Sequence, residues 1–213
     1  MSKKITVMLV DDHAVVRFGF RMLLEATEDI QVVAEAESAE IAYQQIPIVK
    51  PDVIVMDISM GGTMGVEATR RIVARDKLAK VLGLSSHEDP SYVRYMLKAG
   101  ALGYLSKRSA PDELIHAIRQ VAEGRMYIEN NLSQRMALEE FNGEKSPIEV
   151  LSEREFGVFI QLAKGQSVNQ IAEILNISPR TAGTHLYNVK QKLGAANQAE
   201  LTLIAVRHGL IEL

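Results

Sequence analysis

Three acids, one hydroxyl and one amine stand at the ends of short apolar runs in the first half of the chain. Asp11 and Asp12 follow ITVMLV, Asp57 closes DVIVMD, Ser85 closes KVLGLS and Lys107 follows ALGYLS. Carboxylates brought close together repel one another unless a cation shares them, and an oxygen-only donor set suits a hard divalent ion. Mg²⁺ is the natural candidate. A hydroxyl donor and a fixed positive charge beside such an ion complete what is needed to hold three phosphoryl oxygens around a carboxylate nucleophile.

The elements that must position these groups are legible in the same stretch. β-rich runs begin at Ile5, Ile30, Asp52, Lys80 and Ala101, and helical patterns separate them. Parallel neighbours need a crossover, so this alternation predicts an α/β fold: a five-stranded, doubly wound parallel sheet with helices on both faces. Ligands of such sheets bind at the carboxyl ends of the strands, where the strand order reverses. Asp11, Asp12 and Asp57 would meet there. The fifth helix has a serine cap at Ser109, Pro111 in its first turn and Gly124 at its end.

After Gly124 the chain turns polar and acidic, with a break over 143–147 and one helix expected around 132–141. We read 1–124 as the first domain, 125–147 as a linker and 148–213 as a smaller all-α domain. In the last part Ser152 with Glu155, Ser167 with Gln170 and Asn197 with Glu200 fit N-cap pairs, and Ser178 precedes Pro179. Gly165, Gly194 and Gly209 supply stops. Four short helices are expected over 151–208.

Composition bounds the rest. With 213 residues, 47% of them hydrophobic and 24% charged, the chain has enough material for two modest soluble domains. The absence of cysteine excludes disulfides and thiolate metal sites. The five histidines form no ligand-spaced pair. The first apolar run, six residues long, is too short for a signal peptide, and no run reaches the ~18 residues of a membrane span. A cytoplasmic protein with no membrane partner is expected.

The acid pair, VMDISM around Asp57, LSSH at Ser85 and KAGALGYLSK ending at Lys107 resemble the receiver domain of two-component response regulators. The resemblance spans 5–124. It implies that Asp57 accepts phosphate from a sensor histidine kinase and that Asp12 binds Mg²⁺ directly, Asp11 through water. Asp57 itself and the Ser59 carbonyl would also lie on the metal. Ser85 and Lys107 would bind the phosphoryl oxygens, and Tyr104 would be the aromatic switch that turns inward. Two positions depart from the family pattern: Gly61 stands where proline is common and Met64 where an acid is.

The stretch LSEREFGVFIQLAKGQSVNQIAEILNISPRTAGTHLYNVKQKLG is similar to the LuxR-type helix-turn-helix of NarL/FixJ response regulators. The recognition helix would run from Pro179 to Leu193. Independently of that likeness, Ala182, Leu186, Val189 and Leu193 recur at helical spacing as a buried stripe. Arg180, Thr181, Thr184, Tyr187, Asn188, Gln191 and Lys192 are left to face the bases and phosphates of double-stranded promoter DNA. Here also the pattern departs, because Gly183 stands where lysine is common. From Ile148 onward six Lys or Arg balance six Asp or Glu, so sequence-independent attraction to DNA should be weak.

The expected function is therefore a phosphorylation-switched transcription factor that binds DNA as a homodimer, paired through the final helix at Leu201, Leu203, Ile204 and Ala205. The alternative is a regulator with protein-protein output, through the surface around Tyr92 to Tyr104, whose DNA binding is weakened or absent. A phosphotransfer enzyme on small substrates would share the acids, but no separate acid-base residue or substrate cap is legible beside Asp57. The chain is read as no enzyme beyond its own phosphorylation and dephosphorylation at aspartate.

Overall fold

The computed structural model describes residues 4–60, 64–109, 111–142, 150–208 and 210–211. Gly61, the expected break at 143–147 and the stop at Gly209 lie outside the described residues, as does the Met64 side chain. The chain divides into two compact units, the first built on the sheet and running to residue 130, the second comprising 131–213 together with 87–92.

In the first unit, β1 (Ile5–Val10), β2 (Ile30–Ala36), β3 (Val53–Asp57), β4 (Val81–Ser85) and β5 (Gly103–Ser106) arise from the five apolar runs. Between and after them run α1 (Ala14–Glu25), α2 (Ala39–Val49), α3 (Met64–Arg75), α4 (Pro90–Lys98) and α5 (Pro111–Ala122). The sheet order is β2-β1-β3-β4-β5-β6, all parallel. It holds six strands, not the expected five. The added strand, β6 (Tyr127–Ile128), pairs through Gly103↔Tyr127 and Tyr104↔Ile128, in a stretch read from sequence as linker. Two residues carry too little periodicity to be recognised as a strand without their partner. Glu129, just beyond β6, accepts from the Ser106 N–H and the Ser109 hydroxyl, so that serine is engaged with the sheet edge.

Both faces of the sheet are buried, which is why its strands read as nearly continuous apolar runs. Alternate residues such as Val7, Leu9, Val55 and Leu84 pack with Leu24 of α1 and with Leu114, Ile118 and Val121 of α5. The intervening residues Met8, Ile54 and Met56 are equally buried. β1 pairs with both β2 and β3, so the order reverses between them and their carboxyl ends open a crevice there.

In the second unit α6 (Asn130–Phe141) precedes α7 (Glu153–Ala163), α8 (Val168–Ile174), α9 (Pro179–Leu193) and α10 (Gln198–Arg207). Each of the last four starts where its cap was expected. Ser152 and Ser167 form reciprocal capping boxes with Glu155 and Gln170, while Ser178 and Asn197 accept from the Thr181 and Glu200 N–H groups. Such caps satisfy backbone donors that no helical carbonyl reaches. Between α8 and α9 Asn176 takes a left-handed conformation at φ 50°, and asparagine is among the few residues that tolerate it. Phe156, Phe159, Ile171, Ala182, Val189 and Leu201 form the buried interior.

Candidate functional site

The strand ends bring the acids together as the spacing predicts. One ligand atom each from Asp11, Asp12, His13 and Asp57 all lie within 4.8 Å of one another. Asp57 is 1% exposed and Asp11 4%, whereas the Asp12 side chain is 42% exposed. Lys107, directly after β5, reaches across the crevice: its Nζ lies 2.7 Å from Asp11 Oδ2 and 2.9 Å from Asp57 Oδ2. Two buried carboxylates thus share one ammonium.

The electrostatics follow from that arrangement. Burial pushes the Asp57 carboxyl above its ordinary value, opposed by the Lys107 charge and by the Ser59 N–H, which donates to Oδ1 at 2.9 Å. For Lys107 burial pulls the other way, but the two acids prevail and its pKa is raised. The pocket therefore keeps a full positive charge beside a carboxylate that is costly to ionise. Three acids against one lysine, with oxygen donors converging from two strands, fit a hard divalent cation and not a soft one.

The remaining expected residues are placed as follows. Ser85 is fully buried at the end of β4, and its carbonyl accepts from the Lys107 N–H at 2.7 Å. Ser86 is exposed, so β4 closes on the former. Tyr104 is fully buried in the middle of β5. Ser59 follows Asp57 by two residues, where its backbone already turns back onto that carboxylate.

Three contributors were not singled out from sequence. His13 belongs to the cluster, with Nδ1 2.8 Å from Asp12 and 3.2 Å from Asp11. A search for histidine pairs passes over a histidine whose partners are acids. Arg17, one turn into α1, donates to the Asp11 carbonyl at 2.6 Å and so fixes the backbone of the loop. At Gly65 a Cβ would lie 2.2 Å from the Asp57 carbonyl oxygen and 2.6 Å from Ile58 Cα. Only glycine lets α3 approach the backbone of the acid this closely.

The recognition-helix candidates lie on α9. Ala182 and Val189 are buried, Leu186 and Leu193 half-buried, which is the expected stripe. Arg180, Thr181, Thr184, Tyr187, Gln191 and Lys192 are exposed and Asn188 half-buried. Several of these already have local partners. Thr184 donates to the Arg180 carbonyl at 3.0 Å, and the Thr181 hydroxyl lies 2.8 Å from that of Ser178. Lys192 donates to Glu155 at 2.6 Å, tying the end of α9 to the cap of α7. Burial alone would raise the Glu155 pKa; Lys192 and Ser152 outweigh it and bring it down to about 2. On α10 Leu201 and Ala205 are core, whereas Leu203 is 55% exposed. Among the described residues no helix is long and apolar enough to cross a membrane.

Comparison with known proteins matches residues 7–119 to the response regulator receiver domain and 149–205 to the luxR family of bacterial regulatory proteins. The response regulator UvrY of Escherichia coli is 43% identical over 208 residues, covering 97% of this chain and 95% of the relative. The response regulator GacA of Pseudomonas aeruginosa is 37% identical over 210 residues, 98% of each. Among solved structures, RcsB of Salmonella enterica serovar Typhimurium, bound to promoter rprA in the presence of phosphomimetic BeF3−, is 25% identical. It superposes with a TM-score of 0.74 over 95% of this chain and 98% of that one. The two family matches together span most of the chain, and the relatives are matched over nearly their whole length: the chain belongs to the NarL/FixJ-type two-component response regulators, with a receiver domain and a LuxR-type DNA-binding domain that serve transcription regulation.

Proposed function

We propose that this response regulator is switched by phosphorylation of Asp57 by a sensor histidine kinase, and that the phosphorylated form binds promoter DNA as a homodimer. Residues 1–124 would act as the receiver, 148–213 as the DNA-binding domain and 125–147 as the connection between them. The supporting observation is the buried Asp57 carboxylate held between Lys107 and the Asp11 loop. A carboxylate oxygen attacks phosphorus, the phosphorus–nitrogen bond of a phosphohistidine breaks, and an acyl phosphate forms. Lys107 is charged before the reaction starts, so it meets the phosphoryl oxygens without reorganisation. Ser85, buried at the next strand end, supplies the hydroxyl, and a shift of Ser85 and Tyr104 toward the phosphate carries the change to the β5 side.

Asp11, Asp12, Asp57 and the Ser59 carbonyl are the groups that would hold Mg²⁺. Bound there, the ion would neutralise converging charge and draw electron density from the phosphoryl oxygens. On the DNA side Arg180, Thr181, Thr184, Tyr187, Asn188, Gln191 and Lys192 form the proposed contact face. Pairing through α10 around Leu203 compensates for the weak electrostatic attraction of a neutral domain. The half-sites would lie about one helical turn apart. With no helix among the described residues able to span a membrane, a cytoplasmic location is consistent.

A second reading, output by protein contact with little DNA binding, draws support from the engagement of Lys192 by Glu155 and from Gly183. Two measurements decide. With Mg²⁺ and acetyl phosphate the protein should gain one phosphoryl group, lost in Asp57→Asn; undiminished labelling of that variant refutes the site. A mobility shift with genomic promoter fragments should then show retention that strengthens on phosphorylation. No retention in either state favours the second reading.

A further inference from the structure

The first unit contains a second concave site, remote from the acid cluster. It lies between α2 and α3, beside the starts of β3 and β4, whereas Asp57 ends β3. Its volume is about 730 Å³, within the range of small-molecule sites. Ile54 and Ile72, 1% and 2% exposed, form its floor, and Ile46, Pro47 and Pro51 its walls.

Local chemistry explains why the cleft is open. Pro47 sits inside α2 and has no N–H, so the Tyr43 carbonyl four residues earlier loses its helical donor. Arg75 of α3 takes that carbonyl at 3.2 Å. Its guanidinium and that of Arg71 also lie 4.9 Å and 4.7 Å from the centre of the Tyr43 ring. Lys50 then ends α2 in the left-handed region at φ 48°, a conformation costly for lysine, and turns the chain into Pro51. The two helices are thus joined at the Tyr43 edge and part beyond it.

Charge at the rim is unequal. Lys50, Arg75 and Lys80 face two acids, Asp52 and Asp76. Asp52 is turned inward, accepting from the Thr6 N–H and hydroxyl at 2.9 and 2.7 Å, whereas Asp76 is exposed and accepts locally from the Leu78 N–H at 2.9 Å, one acid against two cations at the mouth. Lys80 donates to the Ala122 carbonyl. Lys50 and Arg75 are exposed at the mouth.

We propose that this cleft is a binding site for a small apolar-bodied anion, an aromatic or branched carboxylate. The hydrocarbon lies against Ile46, Ile54, Ile72 and the prolines, and the carboxylate meets Lys50 and Arg75. The cleft lies at the opposite end of β3 from Asp57 and shares no residue with the acid cluster, so its test is independent of the function proposed above. Amide NMR of the full-length protein titrated with 2-naphthoate should show saturable shifts confined to 43–54 and 72–80. The neutral analogue 2-naphthalenemethanol, and naphthoate on the Lys50→Gln, Arg75→Gln double variant, should each bind about tenfold more weakly, the loss of two exposed charge contacts. Ala79→Phe, which places a ring in the cleft, should remove the shifts while keeping a dispersed spectrum. The two exposed charge substitutions keep the test valid where Ala79→Phe unfolds. Equal affinity for the neutral analogue, or shifts centred on any other part of the molecule, overturns the assignment.

Discussion

The acid crevice and the recognition helix are built on opposite plans. In the crevice, Lys107 and Asp11 are 96 positions apart, almost wholly buried, and joined by a charge pair that neither makes within its own element. On α9 the candidate contacts fall within thirteen consecutive residues, mostly exposed, and their two threonine hydroxyls find partners in the helix and its cap. The first arrangement is a coupled network in which changing one charge alters what the others experience in a low-dielectric site. The second is a row of nearly independent groups, whose effects should add.

The contrast is sharpest at Lys107. Lys107→Ala should slow labelling by acetyl phosphate about 10²- to 10³-fold, as the loss of a preorganised positive donor does elsewhere, whereas Gln191→Ala should leave labelling untouched. A small effect of Lys107→Ala, read from initial rates, would break the view of the crevice as a coupled unit. Asp57→Asn should meanwhile raise the thermal midpoint. With its pKa raised, the folded-state carboxyl holds its proton more tightly than the unfolded one, so this group subtracts stability once pH exceeds the ordinary carboxylate range.

Two glycines test the same contrast in stability. Gly65→Ala should cost about 1–3 kcal/mol, since the added methyl meets the Asp57 and Ile58 backbone. Gly183→Ala on α9 should instead gain up to ~1 kcal/mol, since its Cβ enters open space within a helix. Chemical denaturation measures both, and equal signs would contradict the two plans.

The helical unit also holds a long-range charge pair, Lys192 with Glu155, and pH exposes it. The Glu155 pKa is depressed to about 2, so the stability from its pairing is present above the ordinary glutamate value and is lost as pH falls from about 4.5 toward 2. Melting curves of wild type and Lys192→Met should differ at pH 7 and converge at the acid end; parallel curves would show that the pair contributes nothing. The smallest effect is expected at Leu203. Leu203→Glu, at an exposed position, should change stability by less than ~0.5 kcal/mol yet abolish cooperative DNA binding, measured by mobility shift.

What the sequence determined by itself is periodic or local. The apolar runs specify five of the six strands because burial on both faces demands it, and the capping pairs set the starts of α7 to α10 because a helix end needs donors satisfied within three residues. The acids were legible because each sits where a run stops. What only the tertiary structure decided is which of these groups meet. β6 is a strand only by pairing with β5, and Gly65 matters only because α3 returns to Asp57. Lys192, which faces outward in the helical pattern, is drawn to Glu155 by the packing of α9 on α7. Leu201 and Leu203, alike in sequence, separate into core and surface. Contacts between residues tens of positions apart leave no period in the chain, and so the fold alone reveals them.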